Sequence, residues 1–171
     1  MNQNIEIKAR CLNMLQMRER AEKIATEYFG LDDQTDTYFN TSNGRFKLRE
    51  SSLSGSHLIP YLRPDSAEAK TSFYLRIPVE NTQSVKELFG EILGVHKIIR
   101  KQREIFMYQN VRIHLDCVEN LGDFVELEAV MDEKNQDIKS EMDKISFLKK
   151  ALGITEQHLI KGSYENYKNE S

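Results

Sequence analysis

Residues 4–10 read NIEIKAR, and polar and apolar side chains alternate strictly along them. The polar residues occupy the even positions, from Asn4 to Arg10, and the apolar residues occupy the odd ones. A two-residue period is typical of a β-strand, so this stretch is predicted to have one charged face and one apolar face. Most antiparallel sheets turn such a charged face toward water. The other strands of the chain decide whether that holds here.

The same alternation recurs in most of the later strands. Residues 45–49 read RFKLR, which places Arg45, Lys47 and Arg49 on one face. The further rows are Tyr61 and Arg63; Lys70, Ser72, Tyr74 and Arg76; Lys101 and Arg103; Arg112, His114 and Asp116; and Glu126 and Glu128. Basic side chains predominate in the middle strands, whereas carboxylates gather on the first and last ones.

A solvated sheet face is the simplest interpretation of any single row. However, protein surfaces normally mix charges of both signs, and like charges on neighbouring strands repel each other unless a ligand binds between them. The predicted helices also need an apolar sheet face to cover. Together these points favour a barrel with an apolar outer face and a polar lumen that binds an anion.

A lumen that combines Lys, Arg and carboxylates suits a polyanion bound together with a divalent metal ion. Mg²⁺ typically binds one or two protein carboxylates together with substrate phosphates. Arg contacts phosphate oxygens in a bidentate manner, and Lys acts as a point charge. The charged rows therefore favour a triphosphate as the ligand.

Length and composition indicate one globular domain over residues 1–171. The net charge of -3 does not fit a generally basic nucleic-acid-binding protein. No apolar run approaches the ~20 residues of a membrane span, and the strand pattern starts without a signal peptide. We therefore expect a cytoplasmic protein with no nucleic-acid partner and no membrane partner.

The local patterns predict three longer helices and eight strands. The helices are expected at about 13–30, 82–94 and 138–148, with Thr155 capping a short last one. Asn43-Gly44 is a strong hairpin signal between two strands within residues 34–50. The remaining strands are expected at 4–10, 57–64, 70–79, 97–109, 110–118 and 124–131.

Several blocks of the chain resemble the CYTH family, also called triphosphate tunnel metalloenzymes. IEIK at residues 5–8 is similar to the second half of the family's E-x-E-x-K signature. The other similar blocks, in order and spacing, are QTDTYF, FKLRE, YLRPD, RKQR, RIHLDCVENLGDFVELE and GSY. The resemblance covers nearly the whole chain and implies an α+β fold, in which helices pack outside an eight-stranded antiparallel β-barrel that forms a tunnel.

The resemblance also implies which residues act, with Mg²⁺ or Mn²⁺ as the divalent cation. The metal ligands would be Glu6, Glu126 and Glu128, with Asp116 as a further ligand or as a partner that orients one. The triphosphate would be bound by Lys8, Lys47, Arg49, Arg63, Lys70, Lys101, Arg103 and Arg112. The catalytic set would be Glu6, Lys8, Lys101 and Arg103. Asn4 stands where the signature has its first glutamate, so the number of bound metal ions, one or two, stays open.

The block RIHLDCVENLGDFVELE is most similar to the class IV adenylyl cyclase branch, which implies conversion of ATP to cyclic AMP and pyrophosphate. Hydrolysis of thiamine triphosphate, inorganic tripolyphosphate or a nucleoside triphosphate is the alternative. A module that binds nucleotide or polyphosphate without turnover is a further alternative. Two local roles also stay open. Tyr38, Tyr61 and Tyr74 could stack on an adenine ring or pack within the barrel. His114 could act as a catalytic base or be a hydrogen-bonded strand histidine without a catalytic role. The oligomeric state also stays open, with a homodimer as one alternative.

Overall fold

The computed structural model describes residues 2–63, 68–131 and 137–167, except for the side chain of Lys70. Within these ranges the strands are β1 (Asn2–Arg10), β2 (Glu27–Phe39), β3 (Arg45–Ser51), β4 (Gly55–Leu62), β5 (Lys70–Tyr74), β6 (Ile77–Val79), β7 (Val95–Tyr108), β8 (Val111–Val118) and β9 (Gly122–Met131). The helices are α1 (Met14–Ile24), α2 (Thr82–Leu93) and α3 (Ile138–Leu152), followed by 3₁₀ turns at Glu156–His158 and Tyr164–Asn166. No described helix is long and apolar enough to span a bilayer.

The strands form a closed antiparallel ring in the order β3, β2, β7, β8, β9, β1, β5 and β4. The ring closes because β4 also pairs with β3, with Leu48 opposite Leu58. Closure removes the free sheet edges that an open sheet would present. The predicted eight-stranded barrel with helices outside it is confirmed.

The predicted strand at 70–79 is divided into β5 and β6, and both pair with β4 in the same register. Tyr74 lies opposite Tyr61, and Ile77 lies opposite Leu58. The interruption at residues 75–76 faces Pro60, whose carbonyl accepts a hydrogen bond from the Leu75 N–H at 3.2 Å. Because proline has no N–H to donate in return, the ladder is broken there.

The predicted first helix is too long at its C-terminal end. The Asn13 side chain caps α1 as expected, since it accepts a hydrogen bond from the Gln16 N–H. The helix ends at Ile24, and residues 27–39 pair with β7 instead. Tyr28, which continues the helical spacing, packs against Phe106 of β7 with 4.9 Å between ring centroids. Long-range pairing has therefore overridden the local pattern.

The apolar faces of the strands point out of the barrel toward the helices. Ile7 of β1 and Leu127 of β9 lie opposite each other, and both belong to a core that includes Ile145 and Leu148 of α3. Elsewhere on the barrel, Phe89 of α2 packs against aromatic rings of β2 and β3. Because the outer face is covered by helices, the opposite face of each strand encloses the tunnel.

We expect Leu127→Ala to destabilise the protein by about 2–5 kcal/mol, because Leu127 is fully buried and the truncation leaves a cavity. Urea unfolding measures the change in the free energy of unfolding. Leu15→Ala is the control, since Leu15 is 70% exposed and its truncation should change stability by less than ~0.5 kcal/mol. Equal effects of the two variants would contradict this placement of the core.

Candidate active site

The polar row at residues 4, 6 and 8 faces the inside of the barrel. Asn4, Glu6 and Lys8 line a cavity of about 560 Å³ and are only 1%, 7% and 6% exposed. Residues from the other strands of the ring line the same cavity. The charges of β1 thus point inward, away from bulk water.

Three glutamates form one wall of the tunnel, which we call the acidic wall and define as Glu6, Glu126 and Glu128. Glu6 of β1 lies opposite Glu128 of β9 in the strand register. Glu6 pairs with Arg63, and Glu126 pairs with Lys8. Glu128 accepts a hydrogen bond from the Asn4 amide. The acidic wall is therefore held in place by neighbouring cations and one amide.

The electrostatics of the acidic wall favour a bound cation. Burial raises the pKa of Glu6, and the negative charges of Glu126 and Glu128 raise it further against the opposing effect of Arg63. Burial also disfavours ionisation of Glu126, but Lys8 and Arg103 hold its pKa well below the usual range. An additional positive charge near the wall would relieve the repulsion that Glu6 experiences.

The donor atoms of the acidic wall fit a hard divalent cation. Carboxylate and amide oxygens are the donors that Mg²⁺ and Mn²⁺ prefer. In the described part of the chain, no group of three His, Cys, Asp or Glu side chains is arranged so that it could hold a metal ion without moving. Asn4 contributes an amide where the signature has a carboxylate, which lowers the negative charge available to a second ion.

His114 lies beside the acidic wall. Its Nδ1 is 3.1 Å from Oε1 of Glu126, and its Nε2 is 3.9 Å from Oε2 of Glu128. Burial lowers the pKa of His114, and the charge of Arg103 lowers it further. A neutral imidazole can donate one hydrogen bond to Glu126 and so orient that carboxylate.

A basic cluster surrounds Asp36 on the opposite wall, and we define it as Lys47, Arg49 and Lys101. The carboxylate of Asp36 is 2.9 Å from Nζ of Lys47, 2.6 Å from Nη2 of Arg49 and 3.2 Å from Nζ of Lys101. These residues come from β3 and β7, the two strands that pair with β2. In the ring of eight strands, β2 lies directly opposite β1, and β3 lies directly opposite β9. The basic cluster therefore faces the acidic wall across the tunnel.

Asp36 is fully buried, and it keeps its negative charge. Burial alone would raise its pKa, but Arg49, Lys101 and Lys47 hold it well below the usual range. The local alternation does not single out Asp36, because Asp33, Thr35 and Thr37 make the opposite face of β2 polar as well. The block QTDTYF contains Asp36, but only the neighbouring strands reveal its partners.

Asp116 lies behind the tunnel wall and is absent from the residues that line the cavity. Its two oxygens accept hydrogen bonds from Nε and Nη2 of Arg103, both at 2.6 Å. The Tyr164 hydroxyl donates to the same carboxylate at 2.6 Å. In this arrangement Asp116 orients Arg103, a predicted phosphate-binding residue, and its hydrogen bonds go to none of the three glutamates.

The GSY block closes one end of the tunnel. The Tyr164 ring is buried 3.8 Å below Nζ of Lys8, and it packs against Phe124. Ser163 accepts a hydrogen bond from Arg63, and its Oγ lies 3.3 Å from the Tyr61 hydroxyl. The C-terminal segment thus helps to place two of the predicted phosphate-binding cations. Sequence reasoning assigned it no role.

Seven of the predicted triphosphate-binding residues meet in one cavity. They are Lys8, Lys47, Arg49, Arg63, Lys101, Arg103 and Arg112. The side chain of Lys70 lies outside the described residues, as do Pro64 and Asp65 of the YLRPD block. Tyr38 and Tyr61 also line the cavity, with their rings 5.2 and 5.6 Å from Nζ of Lys47. Those contacts favour a packing role for the two tyrosines over stacking on a nucleobase.

Comparisons with known proteins agree with this architecture. A family model described as "CYTH domain" matches residues 2–164. A protein of Methanocaldococcus jannaschii named "Putative adenylate cyclase MJ0240" is 27% identical over 168 residues, which cover 94% of this chain and 95% of that protein.

Two solved structures show the same fold. The PH1012 protein of Pyrococcus horikoshii OT3 aligns with a TM-score of 0.84 at 24% identity, over 97% of this chain and 98% of that one. HpAC1 from Hippeastrum, for which a dominant triphosphatase activity is reported, aligns with a TM-score of 0.57 at 13% identity, over 95% of this chain and 92% of that one. At these identities the likeness supports the fold alone.

We expect Asp36→Asn to destabilise the unliganded protein by about 3–5 kcal/mol, because three buried cations lose the carboxylate that they share. Tripolyphosphate should raise the melting temperature of this variant more than that of the unmodified protein, since the anion replaces the lost charge. Asp33→Asn is the control on the exposed face of β2. Equal anion effects on all three proteins would contradict the role given to Asp36.

We also expect triphosphate binding to take up protons near pH 8. Burial lowers the pKa of Lys47 to about 8, with Arg49 acting in the same direction and Asp36 and Glu165 opposing it. A bound phosphate restores the protonated form, so uptake occurs where Lys47 is partly neutral and fades as the pH falls below that pKa. Calorimetry in buffers of different ionisation enthalpy measures it. Lys47→Arg should reduce the uptake, and the exposed control Lys139→Arg should not.

Proposed function

The chain belongs to the CYTH domain family, whose model spans residues 2–164, and from this premise we propose that it converts ATP to cyclic AMP and pyrophosphate with Mg²⁺ or Mn²⁺. Members of this family are adenylyl cyclase-like enzymes or triphosphatases that use divalent cations. The observation that carries the proposal is that an acidic wall and a basic cluster face each other across one cavity.

The basic cluster supplies the first part of the phosphate site. Its three basic side chains share one carboxylate, Asp36, so the fully protonated cluster has two positive charges left to interact with an anion. Because Arg49 and Arg103 are each held by a buried carboxylate, their guanidinium groups are oriented before substrate arrives. Such preorganised charge is the largest single contribution in many enzymes that act on phosphates.

The acidic wall would hold the divalent cation through Glu6, Glu126 and Glu128, with His114 orienting Glu126. When bound, that cation neutralises charge on the phosphates and helps to orient them. Arg63 and Lys8 now pair with Glu6 and Glu126. With a metal ion held by the wall, these two basic side chains would be available to bind phosphate oxygens.

In the proposed reaction the 3′ hydroxyl of the ribose releases its proton to solvent, and its oxygen forms a bond to the α phosphorus. The bond from that phosphorus to the bridging oxygen of pyrophosphate breaks. Lys8, Lys101 and Arg103 stabilise the negative charge that develops on the leaving group, and the narrow tunnel keeps the substrate in line for attack. The name of the Methanocaldococcus jannaschii relative supports cyclisation over hydrolysis.

A triphosphatase is the second candidate function. The activity reported for HpAC1 of Hippeastrum supports it, and the same cations would bind the phosphates if water attacked the γ phosphorus. A binding module without turnover is less consistent with the site, because Glu6, Glu126 and Glu128 all line the cavity beside the cations.

Product analysis with Mg²⁺ and with Mn²⁺ tests the proposal. We expect cyclic AMP and pyrophosphate from ATP, and loss of turnover in Glu126→Gln with the fold intact. Glu119→Gln is the control, since its side chain is 55% exposed and pairs with Arg100 at 3.8 Å. If the products are ADP and phosphate, or if thiamine triphosphate or tripolyphosphate is cleaved faster, the proposed cyclase activity is wrong and the protein is a triphosphatase.

A further inference from the structure

The first residues of β2 contain a β-bulge. Tyr28 pairs with Phe106 and Gly30 pairs with Ile105, so Phe29 is an extra residue on β2 without a counterpart on β7. Gly30 has φ +107°, a value that side-chain-bearing residues rarely adopt. A bulge of this kind redirects the side chains on one side of it relative to the other.

The bulge turns the Phe29 ring into the tunnel. Asp32 faces inward, so strict alternation would also turn Tyr28 inward and Phe29 outward. The structure shows the reverse for both rings. Tyr28 packs outward on Phe106 and donates a hydrogen bond to Glu104 at 3.0 Å, whereas Phe29 lines the cavity.

Phe29 is part of an apolar group that we call the apolar mouth and define as Phe29, Leu53, Ile105 and Met107. All four line the same cavity as the charged residues. Phe29 and Leu53 are 54% and 53% exposed, so their apolar surface is open to a ligand in the cavity.

The apolar mouth lies at the end of the tunnel away from Tyr164. Along β7, Lys101 and Arg103 lie toward the closed end, and Met107 lies toward the open one. Met107 pairs with Arg112 of β8, which in turn contacts Glu128 of the acidic wall at 3.3 Å. A molecule whose phosphates reach the basic residues would therefore place its other end against the apolar mouth.

We propose that the apolar mouth binds the nucleobase of the triphosphate substrate, with Phe29 stacking on the planar ring. This inference rests on the proposed function and adds to it the place where the base of the nucleotide binds. A base that covers Phe29 and Leu53 removes their apolar surface from water, and aromatic stacking adds to that gain. Inorganic tripolyphosphate has no group to occupy this position. The apolar mouth thus selects a nucleoside triphosphate over a bare polyphosphate.

Equilibrium binding of two ligands tests this inference in the full chain. The ligands are methylene-bridged, non-hydrolysable analogues of ATP and of tripolyphosphate, each with Mg²⁺. Phe29→Ala should weaken binding of the ATP analogue by about tenfold, as expected for loss of one base–aromatic stack, and leave the tripolyphosphate analogue unaffected. Phe29→Trp, which keeps an aromatic face, should retain binding of the ATP analogue.

Phe147→Ala is the matched control, because Phe147 is 51% exposed on α3 and stacks on Tyr108 outside the tunnel. Leu53→Ala gives a second, independent variant of the apolar mouth and should show the same selective loss. Equal changes for both ligands, or no change for either, would overturn the inference while the proposed function stands. Failure of the unmodified protein to bind either analogue would overturn both.

Discussion

The structure depends on charge compensation inside a closed barrel. An ionised group that is removed from water is strongly unfavourable unless opposite charges and hydrogen bonds surround it. Asp36 meets this requirement with cations from both neighbouring strands, and Asp116 meets it with Arg103 and the Tyr164 hydroxyl. The same contacts therefore connect β2 to β3 and β7, and connect the C-terminal segment to the barrel wall.

This compensation is uneven across the tunnel, and the unevenness is what suits the site to a phosphate chain. The basic cluster around Asp36 has more cations than carboxylates, whereas the acidic wall brings three carboxylates close together, and burial together with their mutual repulsion raises the pKa of Glu6. An anion and a divalent cation together would satisfy both walls. Because the charged groups are already positioned by buried partners, little reorganisation is needed when the ligand arrives.

Much of the site was predictable because strand alternation is a local property. Once residues 4–10 are read as a strand, Glu6 and Lys8 must share a face, and the same logic places Arg103 beside Lys101. Asp36 was not predictable in this way, because both faces of its strand are polar and its partners come from other strands. Phe29 was not predictable because it lies within the predicted first helix, and a bulge interrupts the alternation of the strand that forms there instead. The first helix was extended too far, because pairing with β7 outweighs helical spacing near Tyr28.

The sequence by itself determined the number of barrel strands, the helices that cover them and the charged faces of most strands. These features follow from side-chain periods of 2 and 3.6 residues, which involve near neighbours only. The tertiary structure alone decided which charges meet across the tunnel, which carboxylates lie behind its wall and which end the C-terminal segment closes. Those features depend on ring closure, strand register and one bulge, and all three are set by contacts between residues far apart in the chain.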